Sequence, residues 1–208
     1  MNLEKLVALI KDAVKSCHGE VYTGRNLSDN PDVCHAACEW FLHTVRNEGA
    51  VAAIAGLSVI SKDTFQVSQR HAVEGHAMVN QAVANARSFG GGQITPEEAA
   101  ALETLLNHHG QPKRNSYNAD YNVVANEVKE AMKRNAAVMI YIQNKDDKHQ
   151  GHAICVCGNV GGVLVYDPNI GVISLPARDR DALAIIIGNI LSWYATEMKL
   201  NSFAFKPK

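Results

Sequence analysis

The sequence predicts an α+β fold, with a helical N-terminal half packed on an antiparallel β-sheet. Three observations carry this. Up to about residue 135 the apolar residues recur mostly at helical spacing. From residue 137 onward they form short runs rich in β-branched residues, bounded by turn formers. Two of those runs, Ala153–Cys157 and Val163–Tyr166, flank Gly158-Asn159-Val160-Gly161-Gly162, a hairpin turn by composition. Helices followed by a run of strands give α+β, not the alternation of an α/β chain.

Taken in order, residues 3–16 form the first helix, with Leu3, Leu6, Val7, Ile10 and Val14 on one face. Residues 18–33 are a loop, dense in Gly, Asn, Asp, Ser and Pro. A second helix starts near Asp32, its expected N-cap, and turns Val33, Ala36, Ala37, Trp40, Phe41 and Val45 to the core. Residues 50–88 are Ala-rich and helical in tone, with a break near Ser61–Thr64, and Gly90-Gly91-Gly92 closes that block. Thr95-Pro96-Glu97-Glu98 opens another helix, with Thr as cap, Pro in the first turn and acids at the positive end of the dipole. It stops at Gly110; residues 111–120 are a polar loop, and Val123–Asn135 is a further helix. Strands are expected at Ala137–Gln143, Ala153–Cys157, Val163–Tyr166 and Gly171–Leu175, then a helix over Asp179–Tyr194 and a last strand over Asn201–Phe205.

The 208 residues suit one domain, and a hydrophobic content of 47% supports a sizeable core. A net charge of −1 with dispersed basic residues speaks against nucleic acid or an anionic membrane as the main partner. Cys17, Cys34, Cys38, Cys155 and Cys157 are an odd set of five, which fits free thiols folded in a reducing compartment. The amphipathic start, Met1–Asp12, is interrupted by charge and does not read as a signal peptide. No uncharged apolar stretch reaches the length of a membrane span.

The hairpin carries the chemistry. Facing residues of an antiparallel pair have positions that sum to a constant, here 319 to 321 for a turn centred near 160. His152 then faces Asp167 or its neighbour at the open end of the hairpin. An imidazole held by a carboxylate is the base and orienting group of a nucleophilic triad. Cys34 is the candidate nucleophile. It lies in the first turn of the second helix, where amides outside the helical ladder and the dipole favour a thiolate. The Cys34 N–H is one oxyanion donor, and the side-chain amide of Asn30 or Asn26, in the loop before it, is the expected second.

Other clusters carry less. His71 and His76 are five apart and diverge on a helix; Cys17, His18, Cys34 and Cys38 match no structural zinc spacing. Neither G-x-x-x-x-G-K-[ST] nor G-x-G-x-x-G occurs. No metal and no cofactor is expected.

Three segments together resemble the YopT-type cysteine proteases, bacterial effectors with a papain-like core. They are Cys34-His35-Ala36-Ala37-Cys38-Glu39-Trp40-Phe41 at a helix start, Gly151-His152-Ala153-Ile154 at a strand start, and Tyr166-Asp167-Pro168-Asn169-Ile170-Gly171 at a hairpin exit. They stand in the family's order, with a His-to-Asp gap of 15, and the resemblance spans residues 25–45 and 137–177. It implies a single papain-like domain over 1–208. Residues 1–24 would be an N-terminal helix and loop, and 46–135 a helical block that shapes the substrate site. It implies Cys34 as nucleophile, His152 as general base and acid, and Asp167 as the group orienting the imidazole. One departure is Asp32-Val33 before the Cys, where family members often carry a small residue.

The function so implied is a thiol protease of the effector or toxin type, acting on a protein in a host or competitor cell. It would be made in a bacterial cytoplasm without a cleavable signal and exported by a specialised secretion system. A secretion chaperone or a cognate inhibitor protein would fit as a further partner. The same triad serves a deamidase, a transglutaminase or a peptidoglycan amidase equally well. A non-enzymatic binding module, with the hairpin purely structural, is the third reading.

Overall fold

A computed structural model of the chain describes residues 2–22, 33–59, 115–118, 120–133, 137–144, 146, 151–176, 179–200 and 202–207. Within them the α+β expectation holds. The helices are α1 (Leu3–Ser16), α2 (Cys34–Glu48), α3 (Ala50–Val59), α4 (Tyr121–Met132) and α5 (Arg180–Glu197). The strands are β1 (Glu20–Tyr22), β2 (Asn115–Asn118), β3 (Val138–Gln143), β4 (Gly151–Asn159), β5 (Gly162–Asp167), β6 (Gly171–Pro176) and β7 (Ser202–Pro207). They form one antiparallel sheet in the order β1-β6-β5-β4-β3-β7-β2.

The two outermost strands depart from expectation. β1 lies in the stretch read as loop 18–33 and pairs with β6; β2 lies in the polar stretch 111–120 and pairs with β7. Neither carries an apolar run, and the partner strand's exposed edge supplies the order that local propensity lacks. The helix boundaries moved less: α1 coincides with residues 3–16, and α4 runs two residues earlier than expected at its start. The break near Ser61–Thr64, Gly90–Gly92 and the helix opened by Thr95 lie outside the described residues.

The sheet is covered on both faces. Ile140, Ile142, Ile154, Val156, Val163 and Val165 face α1, α4 and α5. Their neighbours of opposite parity, Met139, Ala153, Cys155, Cys157, Leu164 and Tyr166, face α2 and α3. Strand residues alternate between faces, so near-continuous apolar runs bury both sides. Among the described residues no helix is long and apolar enough to cross a membrane.

Two turns fix the centre of the sheet. β4 and β5 are joined by Val160 and Gly161 alone; Gly161 has φ +86°, a left-handed conformation that glycine adopts without a Cβ clash. Asp167 and Gly171 close the β5–β6 turn as a pair, and Gly171 again has positive φ, +113°.

Candidate active site

α2 begins at Cys34, with Val33 in the cap position and making no side-chain cap hydrogen bond. Asp32, the expected N-cap, lies outside the described residues. The helix lies close on β4. The Cys38 thiol donates to the Ala153 carbonyl at 3.3 Å, and the Cys155 thiol donates back to the Cys38 carbonyl at 3.8 Å. Phe41 seats against Tyr166, ring centroids 4.7 Å apart. These contacts hold the start of α2 at the end of the sheet.

His152 and Asp167 reach each other along a diagonal. The β4–β5 ladder pairs Cys155 with Tyr166 and Asn159 with Gly162, a sum of 321, the upper end of the expected range. Extended one step, that register sets Asp167 opposite Ile154, two residues from His152 on the same face. Diagonal neighbours are within reach of an aromatic side chain, and His152 Nε2 meets Asp167 Oδ1 at 3.0 Å. Both are buried, His152 at 8% exposure and Asp167 at 0%. The ladder stops at Cys155, so β5 leaves the His152 end of β4 open.

Asp167 serves the turn and the imidazole together. Its Oδ1 accepts the Asn169 backbone N–H at 2.8 Å, an Asx-type closure of the Asp-Pro-Asn turn. The ordinary turn reading and the catalytic reading of this motif are thus compatible. Tyr194, on α5, donates its hydroxyl to the same carboxylate, 3.1 Å from each oxygen, and accepts from Asn169 Nδ2 at 3.0 Å. The Tyr194 ring stacks on the His152 ring, centroids 4.7 Å apart and planes 27° off parallel.

The electrostatics favour a charged imidazole. Burial opposes the charge on His152, but the Asp167 carboxylate and hydrogen bonds to Asp167 and to the Cys34 side chain outweigh it, and the pKa is pushed up to about 10. With Nε2 turned to Asp167, Nδ1 is the nitrogen left for the thiol. Asp167 thus holds Nε2, and the Cys34 side chain is the second polar group that bears on the imidazole. Elsewhere burial, reinforced by neighbouring groups, pushes the Cys38, Cys157 and Tyr166 pKa values up, which suits inert core groups. A groove of about 850 Å³ lies between α2, from Glu39 to Gly49, and the Cys157–Val160 end of β4; Cys34, His152 and Asp167 do not line it.

Asn26 and Asn30, the expected oxyanion amides, lie outside the described residues. Sequence reasoning missed Tyr194 and the Asn169 amide. The signal for Tyr194 was present: Ile187, Ile190, Leu191 and Tyr194 share one helical stripe, and a tyrosine in a buried stripe needs a partner for its hydroxyl.

Among solved structures, the crystal structure of the Pseudomonas avirulence protein AvrPphB has a similar fold. The TM-score is 0.61 and the identity 12%, over 93% of this chain and 98% of that one. No family model matches the chain, and no curated protein matches it. At that identity the likeness shows a shared α+β fold.

Proposed function

We propose that the chain is a thiol protease of bacterial effector type, cleaving a peptide bond in a target protein through Cys34, His152 and Asp167. The observation that carries the reading is the convergence of a helix-start cysteine on a buried imidazole whose far nitrogen is held by a buried carboxylate. The likeness of fold to an avirulence protein supports the effector part. Export from a bacterial cytoplasm by a specialised secretion route, and a protein substrate, belong to the same proposal.

In this mechanism the Cys34 sulfur attacks the scissile carbonyl carbon, and the carbonyl π electrons move onto oxygen. The Cys34 N–H faces the resulting oxyanion. Collapse expels the amine, which takes the His152 Nδ1 proton as it leaves. Water then attacks the thioester, giving its proton to the now neutral imidazole, and the Cys34 thiolate is regenerated beside the imidazolium as the acid product departs. Asp167 keeps the imidazole in register and stabilises its charge throughout without taking the proton.

Iodoacetamide alkylation, with the modified site located by mass spectrometry, tests this. Cys34 should react at least ~100-fold faster than Cys17 at neutral pH, and His152→Ala should abolish the difference. A Cys34 that reacts no faster than Cys17, or only after unfolding, would end the triad reading. Given a substrate, backbone scission against a +1 Da mass change separates proteolysis from deamidation.

A further inference from the structure

We propose that Tyr194 is a positioning residue for the imidazole–carboxylate pair, its hydroxyl fixing the plane of the Asp167 carboxylate and its ring fixing the plane of the His152 ring. The inference rests on the triad reading and adds a fourth group to it.

A tyrosine that merely filled the core would need one hydrogen bond to any acceptor. Tyr194 instead has its oxygen equidistant, at 3.1 Å, from both oxygens of one carboxylate. It accepts from Asn169 Nδ2, and the Asn169 backbone N–H binds that same carboxylate. The carboxylate is thus held by donors from three directions: β4 through His152, the β5–β6 turn through Asn169, and α5 through Tyr194. A carboxylate restrained at only one or two points could rotate about its Cβ–Cγ bond and aim Oδ1 away from the imidazole.

The ring supplies the second restraint. It lies nearly parallel to the imidazole at 4.7 Å, and a π face beside an imidazolium is electrostatically favourable. Tyr194 and Asp167 are both fully buried, so water does not compete for the carboxylate. Burial, then the Asp167 charge, pushes the Tyr194 pKa well up, which keeps the hydroxyl a donor. Ile187, Ile190 and Leu191 anchor the same stripe of α5 in the core, so Tyr194 projects from a rigid element.

Tyr194→Phe removes the hydroxyl and keeps the ring. The expected result is a Cys34 alkylation rate about tenfold below wild type. The His152 Nε2 proton resonance, followed by NMR, should move upfield and exchange faster with water. If either quantity stays at its wild-type value in the folded variant, Tyr194 is a core residue only. Should the Phe variant fail to fold, Asn169→Ala decides, because it touches the hydroxyl without opening the core: a resonance shift in the same direction supports the proposal and an unchanged resonance overturns it. The resonance is also read in Cys34→Ala against the Cys34→Ala/Tyr194→Phe double variant. Slow alkylation of wild-type Cys34 would end the triad reading alone, while that pair of spectra still reports whether Tyr194 holds His152 against Asp167.

Discussion

The two faces of the sheet are built from different materials. The face under α1, α4 and α5 is aliphatic and bulky, with Ile10, Val128, Leu183, Ile187, Ile190 and Leu191 seated on Ile140, Ile142, Ile154 and Val165. Under α2 and α3, strand β4 presents small side chains and thiols, Ala153, Cys155 and Cys157 meeting Ala36, Ala37 and Cys38 of α2, with the larger Met139, Leu164 and Tyr166 beside them. Large branched side chains bury the most area and carry most of the stabilisation. Small ones let a helix backbone come close, as the thiol bonds between α2 and β4 record. One face therefore supplies stability, and the other supplies the close seating of Cys34. The candidate site straddles the end of the sheet: His152, Asp167 and Tyr194 belong to the bulky side, and Cys34 to the small one.

The largest effect should come from cutting the joint between the two. Asp167→Ala leaves a buried imidazole without its counter-charge, and the Tyr194 and Asn169 donors lose their acceptor. Cys34 alkylation should fall by about 10³-fold, and stability by about 3 kcal/mol at neutral pH. The pH dependence sharpens this. The folded His152 pKa lies near 10, above the unfolded value of about 6.5. Its contribution is thus fully present below about pH 6.5 and is lost as pH rises through about 10. Urea midpoints measured from pH 6 to 10.5 should show the gap between wild type and Asp167→Ala narrowing upward. A gap that widens with pH would mean that His152 is neutral in the folded protein.

Much of this joint was legible in the sequence. The hairpin register could be summed from residue numbers, and the Asp-Pro-Asn-Ile-Gly turn fixed where Asp167 had to sit. The seven-strand width was not legible. β1 and β2 have no pattern of their own, and only pairing with β6 and β7 makes them strands. The division of the sheet into two covered faces was hidden for a related reason. A strand buried on both sides, such as β4, reads as one apolar run, and a run does not say which helix lies on which side. Tyr194 was hidden because its partner is 27 residues away in sequence and meets it only after α5 packs.

Side-chain truncation tests the division of labour more directly. Ile187→Ala, on the bulky face, should cost about 3 kcal/mol by urea or thermal unfolding and leave Cys34 reactive in the folded fraction. Cys155→Ala, on the small face, should cost about 1 kcal/mol, since less volume is removed and α2 can settle into the gap. Equal costs on the two faces would refute the assignment of stability to one of them.

The smallest effect is expected at Cys38, and it isolates what makes Cys34 special. The two cysteines are four residues apart on α2, share its buried side, and belong to the same cluster. If reactivity came from the helix or the cluster, both thiols would matter. Cys38 instead donates to the Ala153 carbonyl, and burial pushes its pKa well up. A serine hydroxyl can make the same donation at the cost of a slightly shorter reach. Cys38→Ser should therefore lower stability by no more than about 1 kcal/mol and leave the Cys34 alkylation rate within about twofold of wild type. A tenfold loss of Cys34 reactivity in a well-folded Cys38→Ser protein would show that the thiol cluster tunes the nucleophile. His152 would then not be the sole source of its activation.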